Sequence, residues 1–274
     1  MKSMINIELE RAFRGTSFWI AILIGIIITA LQFIQQVIPA AMNPIYWMKS
    51  NTLQVPANAF RDSIIMGDGW YYQLYIRLVP ILVTIPYAIT YYTDYKKGIV
   101  RNYYSRTNKK NYIVAKFLAV FVTGGTVAVL PLVINLLATS AVLPSFAIIN
   151  GEMTCNGNGM WSYILYSHPY IYYVMYFILQ FICAGLLASI SLVISRYVNN
   201  VFIVLLFPSV LCEFINAIAQ WFPTKILKDL APWRLFRIDQ LAVNYWQSYI
   251  IFILVILFLD ITIYMWRGVK DDVL

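Results

Sequence analysis

Charge is scarce in this chain. Only 12% of its 274 residues are Asp, Glu, Lys or Arg, about half the share of an ordinary soluble domain, and this excludes a water-facing globule. Histidine occurs once, at His168; the H-E-x-x-H zinc helix needs two imidazoles and is therefore excluded. No Gly-Lys pair occurs anywhere, so the chain has no P-loop to cradle nucleotide phosphates. A G-x-S-x-G elbow is also missing, and with it the hydrolase nucleophile such a turn presents. The three cysteines build no disulfide framework: Cys183 and Cys212 fall in long apolar runs, and Cys155 stands alone in a polar stretch.

What the chain has in excess is apolar surface. Hydrophobic residues make up 61% and aromatics 16%, the mean hydropathy is +0.70, and disorder is excluded because there is ample surface to bury. Six stretches approach the roughly 20 apolar residues that a membrane-spanning helix needs. They run from about Phe18 to Ile38, Leu74 to Tyr92, Phe117 to Leu143, Ile171 to Ile194, Val201 to Ala219 and Tyr249 to Trp266. Continuous runs such as residues 22–28 do not alternate, which argues against a transmembrane barrel. The first run is longer than the roughly 7 to 15 residues of a signal-peptide core and is read as a retained helix. No remaining stretch has room for a soluble domain. The expected fold is an all-α membrane protein, a single transmembrane domain over residues 1–274 with six spans.

Lys and Arg favour the cytoplasmic side of a membrane. With the N-terminus inside, 13 of the 20 basic residues lie on inner segments and six on outer ones, with Arg77 inside a span. Both termini are therefore expected in the cytoplasm of a multi-pass plasma-membrane protein. The net charge of +8 reads as topology and attraction to anionic lipid rather than as a nucleic-acid surface.

Before the first span, Met4, Ile5, Leu9, Ala12 and Phe13 fall on one helical face, with Asn6, Glu8, Glu10, Arg11 and Arg14 mostly on the other. This predicts an interfacial helix over residues 3–16, broken from the span at Gly15-Thr16-Ser17; a plain extension of the span is the alternative. The segment linking spans two and three, residues 93–116, holds seven of the basic residues and four tyrosines. An ordinary positive-inside anchor accounts for the charge. It does not account for Ile99, Val100, Tyr103 and Tyr104, which suggest a docking face for another protein.

That segment resembles the inner loop of type-2 ATP-binding cassette (ABC) export permeases: acidic Asp94, Gly98 four later, then Ile99-Val100-Arg101-Asn102, Ser105-Arg106, a polar turn, and Tyr112-Ile113 ahead of Lys116. Family members commonly carry Glu where this chain has Asp94. The layout of the whole chain is also similar, with an elbow helix, six spans and an extended outer segment before the sixth. The resemblance implies a coupling helix carrying Arg101, Asn102 and Tyr103, opened by Gly98 and closed by Ser105 and Arg106, with Tyr112 and Lys116 starting the third span. It further implies a separate ATPase subunit that binds ATP and Mg, a second permease copy or paralogue, and export of an amphiphilic peptide, antibiotic or lipid. This chain itself would bind no cofactor or metal and would not be an enzyme alone. The alternatives are a secondary transporter or channel, or a membrane protein that senses or gives immunity to a peptide without pumping.

The outer segment from Gln220 to Gln247 is too interrupted by Pro223 and Pro232 to span and too aromatic for a free loop. It is expected to be a re-entrant or interfacial hairpin, the alternative being an interfacial loop without a role. Arg77, Glu213 and Asp260 are ionisable residues inside spans, each costing at least about 2.5–3.5 kcal/mol at bilayer depth. A pairing of Arg77 with Glu213 is expected at the outer side, and access of cytoplasmic water to Asp260. Gln32, Gln35 and Gln36 are candidates to line a path or to bridge helices.

Overall fold

The computed structural model describes residues 1–42, 57–66, 69–104, 107–146, 159–195, 197–198, 200–222, 224–237 and 245–266. Cys155, Ser105 and Arg106, and the side chain of Arg101, lie outside what it describes.

Helix α1 (Lys2–Arg14) ends at Gly15, whose extended backbone (φ −65°, ψ 133°) turns the chain into α2 (Thr16–Met42). The break falls where the Gly-Thr-Ser triplet predicts it. Next come the short α3 (Ala59–Asp62), then α4 (Trp70–Leu82), α5 (Ala88–Lys96) and α6 (Ile99–Tyr104). The long α7 (Lys109–Val142), the short α8 (Ser162–Ser167), α9 (Pro169–Ile194) and α10 (Val201–Ala219) follow. Two short pieces, α11 (Lys225–Lys228) and α12 (Pro232–Leu235), precede α13 (Trp246–Trp266), whose final stretch from Asp260 is π-wound. The helix starts carry ordinary caps. Asn108 accepts from the Lys110 N–H at 3.1 Å, Asn200 from the Phe202 N–H at 2.9 Å, and Pro169 opens α9.

Among the described residues no strand occurs, and five helices are long and apolar enough to cross a membrane: α2, α7, α9, α10 and α13. The second expected span is not among them, because residues 83–87 divide it into α4 and α5. Pro86 lacks the N–H that would continue the ladder there. Backbone groups freed inside a membrane must find partners within the protein. At the break Thr84 is fully buried, and its hydroxyl lies 2.7 Å from the Ile81 carbonyl and 3.1 Å from the Leu205 carbonyl of α10.

Helix α9 is the centre of the bundle. Over its most apolar stretch 72% of residues are buried, against 17% for α10, so α10 turns Phe202, Val210 and Phe214 outward. The largest helix–helix contact joins α9 to α7. It depends on close backbone approach, because lipid offers no hydrophobic drive for helices to associate. At Gly185 a Cβ would lie 2.6 Å from the Phe121 carbonyl and 2.7 Å from its ring. Gly185→Ala is therefore expected to force the two helices apart and to cost about 1–3 kcal/mol, read as a lower midpoint of unfolding in detergent.

Candidate functional site

The most polar part of the interior lies where α1, α5 and α7 meet, at the end of the bundle that carries the basic loop. Lys116, on the second turn of α7, is fully buried. Its Nζ contacts Asp94 Oδ2 of α5 at 2.8 Å and Glu8 Oε2 of α1 at 3.1 Å. Asp94 also receives both guanidinium nitrogens of Arg11 from α1, at 2.7 and 2.8 Å, and the Tyr112 hydroxyl at 3.4 Å. The Tyr87 hydroxyl donates to Glu8 at 2.5 Å, and the Lys116 ammonium lies 4.3 Å from the centre of the Tyr87 ring. Two carboxylates thus meet two cations, and the group is neutral as a whole. Glu8 Oε1 alone in this group is buried without a hydrogen-bond partner.

Such an arrangement is held by tertiary structure alone. Taking an ion out of water costs several kcal/mol, which only close, well-directed partners offset. Here the partners come from three separated stretches of chain, and removal of Lys116 strands Glu8. Burial pushes the Asp94 carboxyl up, but the hydrogen bond from Arg11 and the charge of Lys116 more than offset it, leaving Asp94 below its ordinary value. The bond to Asp94 in turn raises Arg11, opposed by its own partial burial.

The cluster borders α6. Gly98 lies in the left-handed region at φ +70°, a conformation glycine adopts without strain, and it lets the chain turn from α5 into α6. Val100 is buried, the Tyr103 ring stacks on Tyr112 at 5.2 Å, and Tyr104 meets the same ring edge-on at 5.8 Å. The apolar positions expected to form an outward docking face therefore lean on the start of α7. Asn102 is exposed.

The reading of α1 needs one correction. Glu8 is not on the outer, polar face: Met4, Glu8 and Ala12, spaced by four, form the buried stripe. The spacing was legible, but nothing near in sequence announced that Lys116 would neutralise the carboxylate.

The other polar candidates separate. Arg77 is exposed and sits 4.8 Å over the Trp233 ring, Glu213 is exposed on α10, and no ion pair joins them among the described residues. Asp260 is fully buried against Ser189. Gln32 is buried and bridges helices: it donates to the Asp62 carbonyl at 3.0 Å and to Gln36 at 3.2 Å, and accepts from Asn135 at 3.0 Å. Gln36 is exposed, and Gln35 accepts from Tyr71. His168 is exposed at the corner between α8 and α9. The outer segment folds onto the bundle: the Phe236 carbonyl accepts from Tyr72 at 3.0 Å and from Gln180 at 2.7 Å, and the Leu235 carbonyl accepts from Tyr249 at 3.1 Å.

The chain matches no protein-family model, no curated protein and no solved structure.

Two outcomes follow for the cluster. Lys116→Met leaves Glu8 buried without its cation and Asp94 with Arg11 alone, and is expected to cost about 3–5 kcal/mol. Arg11→Ala costs less, because Lys116 still holds Asp94; unfolding midpoints of the two variants in detergent compare them directly. For pH, a carboxyl lowered on folding contributes stability that is complete above its unfolded value, about 3.9, and that is lost as pH falls through its lower folded value. Acid unfolding of the wild type should therefore show a loss below about pH 4 that Asp94→Asn, already destabilised at neutral pH, shows in smaller measure.

Proposed function

We propose that this chain is the permease subunit of an ATP-driven ABC exporter in the plasma membrane, with both termini and the basic loop in the cytoplasm. In this reading it works with a separate ATPase subunit that binds ATP and Mg, and with a second permease copy or paralogue. The cargo is an amphiphilic molecule of the class of peptides, antibiotics or lipids. Leu74–Tyr92, jointed at Thr84, serves as the second of six spans, and α11 with α12 as the outer hairpin before the last.

The observation that carries this reading is the bracing of α6. A short helix that receives force from another protein must be rigid with respect to the helices it is meant to move. Helix α6 is tied to α7 through the Tyr103–Tyr112 stack and to α5 by the Gly98 turn. Asp94 and Lys116, at the ends of those two helices, are locked to each other and to α1. Closure of an ATPase on α6 would thus displace α1, α5 and α7 as one body. A basic loop whose only task is to set topology has no need of that bracing.

The test is association. Arg101→Glu, on α6, is expected to abolish co-purification of a P-loop ATPase with the tagged chain while membrane insertion and unfolding midpoint stay unchanged. Undiminished co-purification would overturn the assignment of α6.

A further inference from the structure

Asp260 is the one carboxylate among the described residues that is fully buried and has no cation beside it. It opens the π-wound end of α13, and its surroundings are stated by three contacts. Asp260 Oδ2 lies 2.6 Å from the Ser189 hydroxyl of α9. The same Ser189 oxygen lies 2.6 Å from the Leu186 carbonyl one turn back on its own helix. Asp260 Oδ1 is buried with no hydrogen-bond partner among the described residues.

A serine hydroxyl has one hydrogen to give. If Asp260 were ionised, that hydrogen would be shared between two acceptors, each 2.6 Å away, and the charge on Oδ1 would have no partner among the described residues. A hydroxyl in a helix commonly bonds the carbonyl one turn back, and with the Ser189 hydrogen on Leu186 its oxygen is left as an acceptor. A carboxylic acid supplies the missing hydrogen: Asp260 Oδ2–H donates to Ser189 Oγ, and Ser189 O–H donates to Leu186 O. Every hydrogen then has one acceptor, and the unpartnered Oδ1 bears no charge. The packed elements agree. Helix α9 carries no Asp, Glu, Lys or Arg, and α13 carries none but Asp260. On α7 the cations are Lys109, Lys110 and Lys116, the last already paired with Glu8 and Asp94. From α5, Tyr91 meets Tyr264, one turn on from Asp260, with ring centres 5.4 Å apart; the charges of α5 are Asp94, in the cluster, and Lys96, exposed. Cys183 of α9 is buried as a thiol.

We propose that Asp260 is a proton-binding site within the membrane domain, loaded while α9 and α13 are closed on each other and emptied only when water enters between them. On opening, the Oδ2–H bond breaks, its electron pair stays on Oδ2, the proton passes to water as hydronium, and Ser189 turns its hydrogen to the new carboxylate. Reclosure requires a proton to return, because an ion without a partner in that dry seam is strongly disfavoured. This stands apart from the permease reading and is tested without an ATPase.

The experiment is infrared difference spectroscopy of the full chain in lipid nanodiscs at neutral pH, wild type against Asp260→Asn. An amide in place of the acid can make the same donation to Ser189, so the variant should fold. The expected result is a protonated carboxylic-acid carbonyl band present in the wild type and absent from the variant, and displaced in Ser189→Ala, which keeps the acid but removes its acceptor. Finding only ionised-carboxylate bands in the difference spectrum would overturn the proposal. Should the asparagine variant not fold, an acid band unmoved by Ser189→Ala would do the same.

Discussion

A lysine ammonium with no access to water sits at the junction of three helices, and the lower half of this molecule is arranged to make that tolerable. Lys116 needs Glu8 and Asp94; Asp94, drawn in with it, engages Arg11 through both guanidinium nitrogens; Glu8 takes the Tyr87 hydroxyl. A buried ion pair is seldom a net source of stability, since desolvation consumes most of what the attraction yields. Its value is that it tolerates no other arrangement. Helix α1 is locked with Glu8 inward.

That lock places a rigid plate beneath the basic loop. The Tyr103 and Tyr104 rings close on Tyr112 only four residues before Lys116, so the loop helix, the ion cluster and the base of α7 share one set of contacts. Further along, the bundle is held differently. The Gly185 approach and the small residues of α9 allow helix backbones to touch, and side-chain amides stitch the far end: Asn135 and Gln32 link α7, α2 and the segment after α3, and Gln180 holds the outer turn. One end is joined by the ionic cluster of α1, α5 and α7, and the other combines these amide hydrogen bonds with the Arg61–Asp62 and Arg234–Asp229 pairs.

Asp260 and Lys116 show two solutions to the same problem of charge in an apolar interior. At Lys116 the charge is kept, with opposite charges brought to it. At Asp260 no cation is brought among the described residues, and the proposed proton of the carboxyl, donated to Ser189, takes its place. Lys116 lies where α1, α5 and α7 meet, and Asp260 where α13 packs on α9.

The all-helical class, the placement of five apolar helices and the break after α1 were legible in the sequence, because each depends on local quantities: a run of about 20 apolar residues or a Gly-Thr-Ser interruption. The loop helix was legible for the same reason, from Gly98 to Tyr104. Partnership between charges was decided only by tertiary structure. Arg77 and Glu213 had opposite sign and similar expected depth, yet Arg77 found Trp233 instead. Glu8, Asp94 and Lys116 are far apart in sequence and were joined only when α1 folded under α5 and α7. The division of the second span at Thr84 likewise needed the Leu205 carbonyl of α10 to complete it. Local pattern sets what a segment must be, whereas the cost of burying a charge or a free backbone group is settled by whichever group the fold brings within 3 Å or so of it.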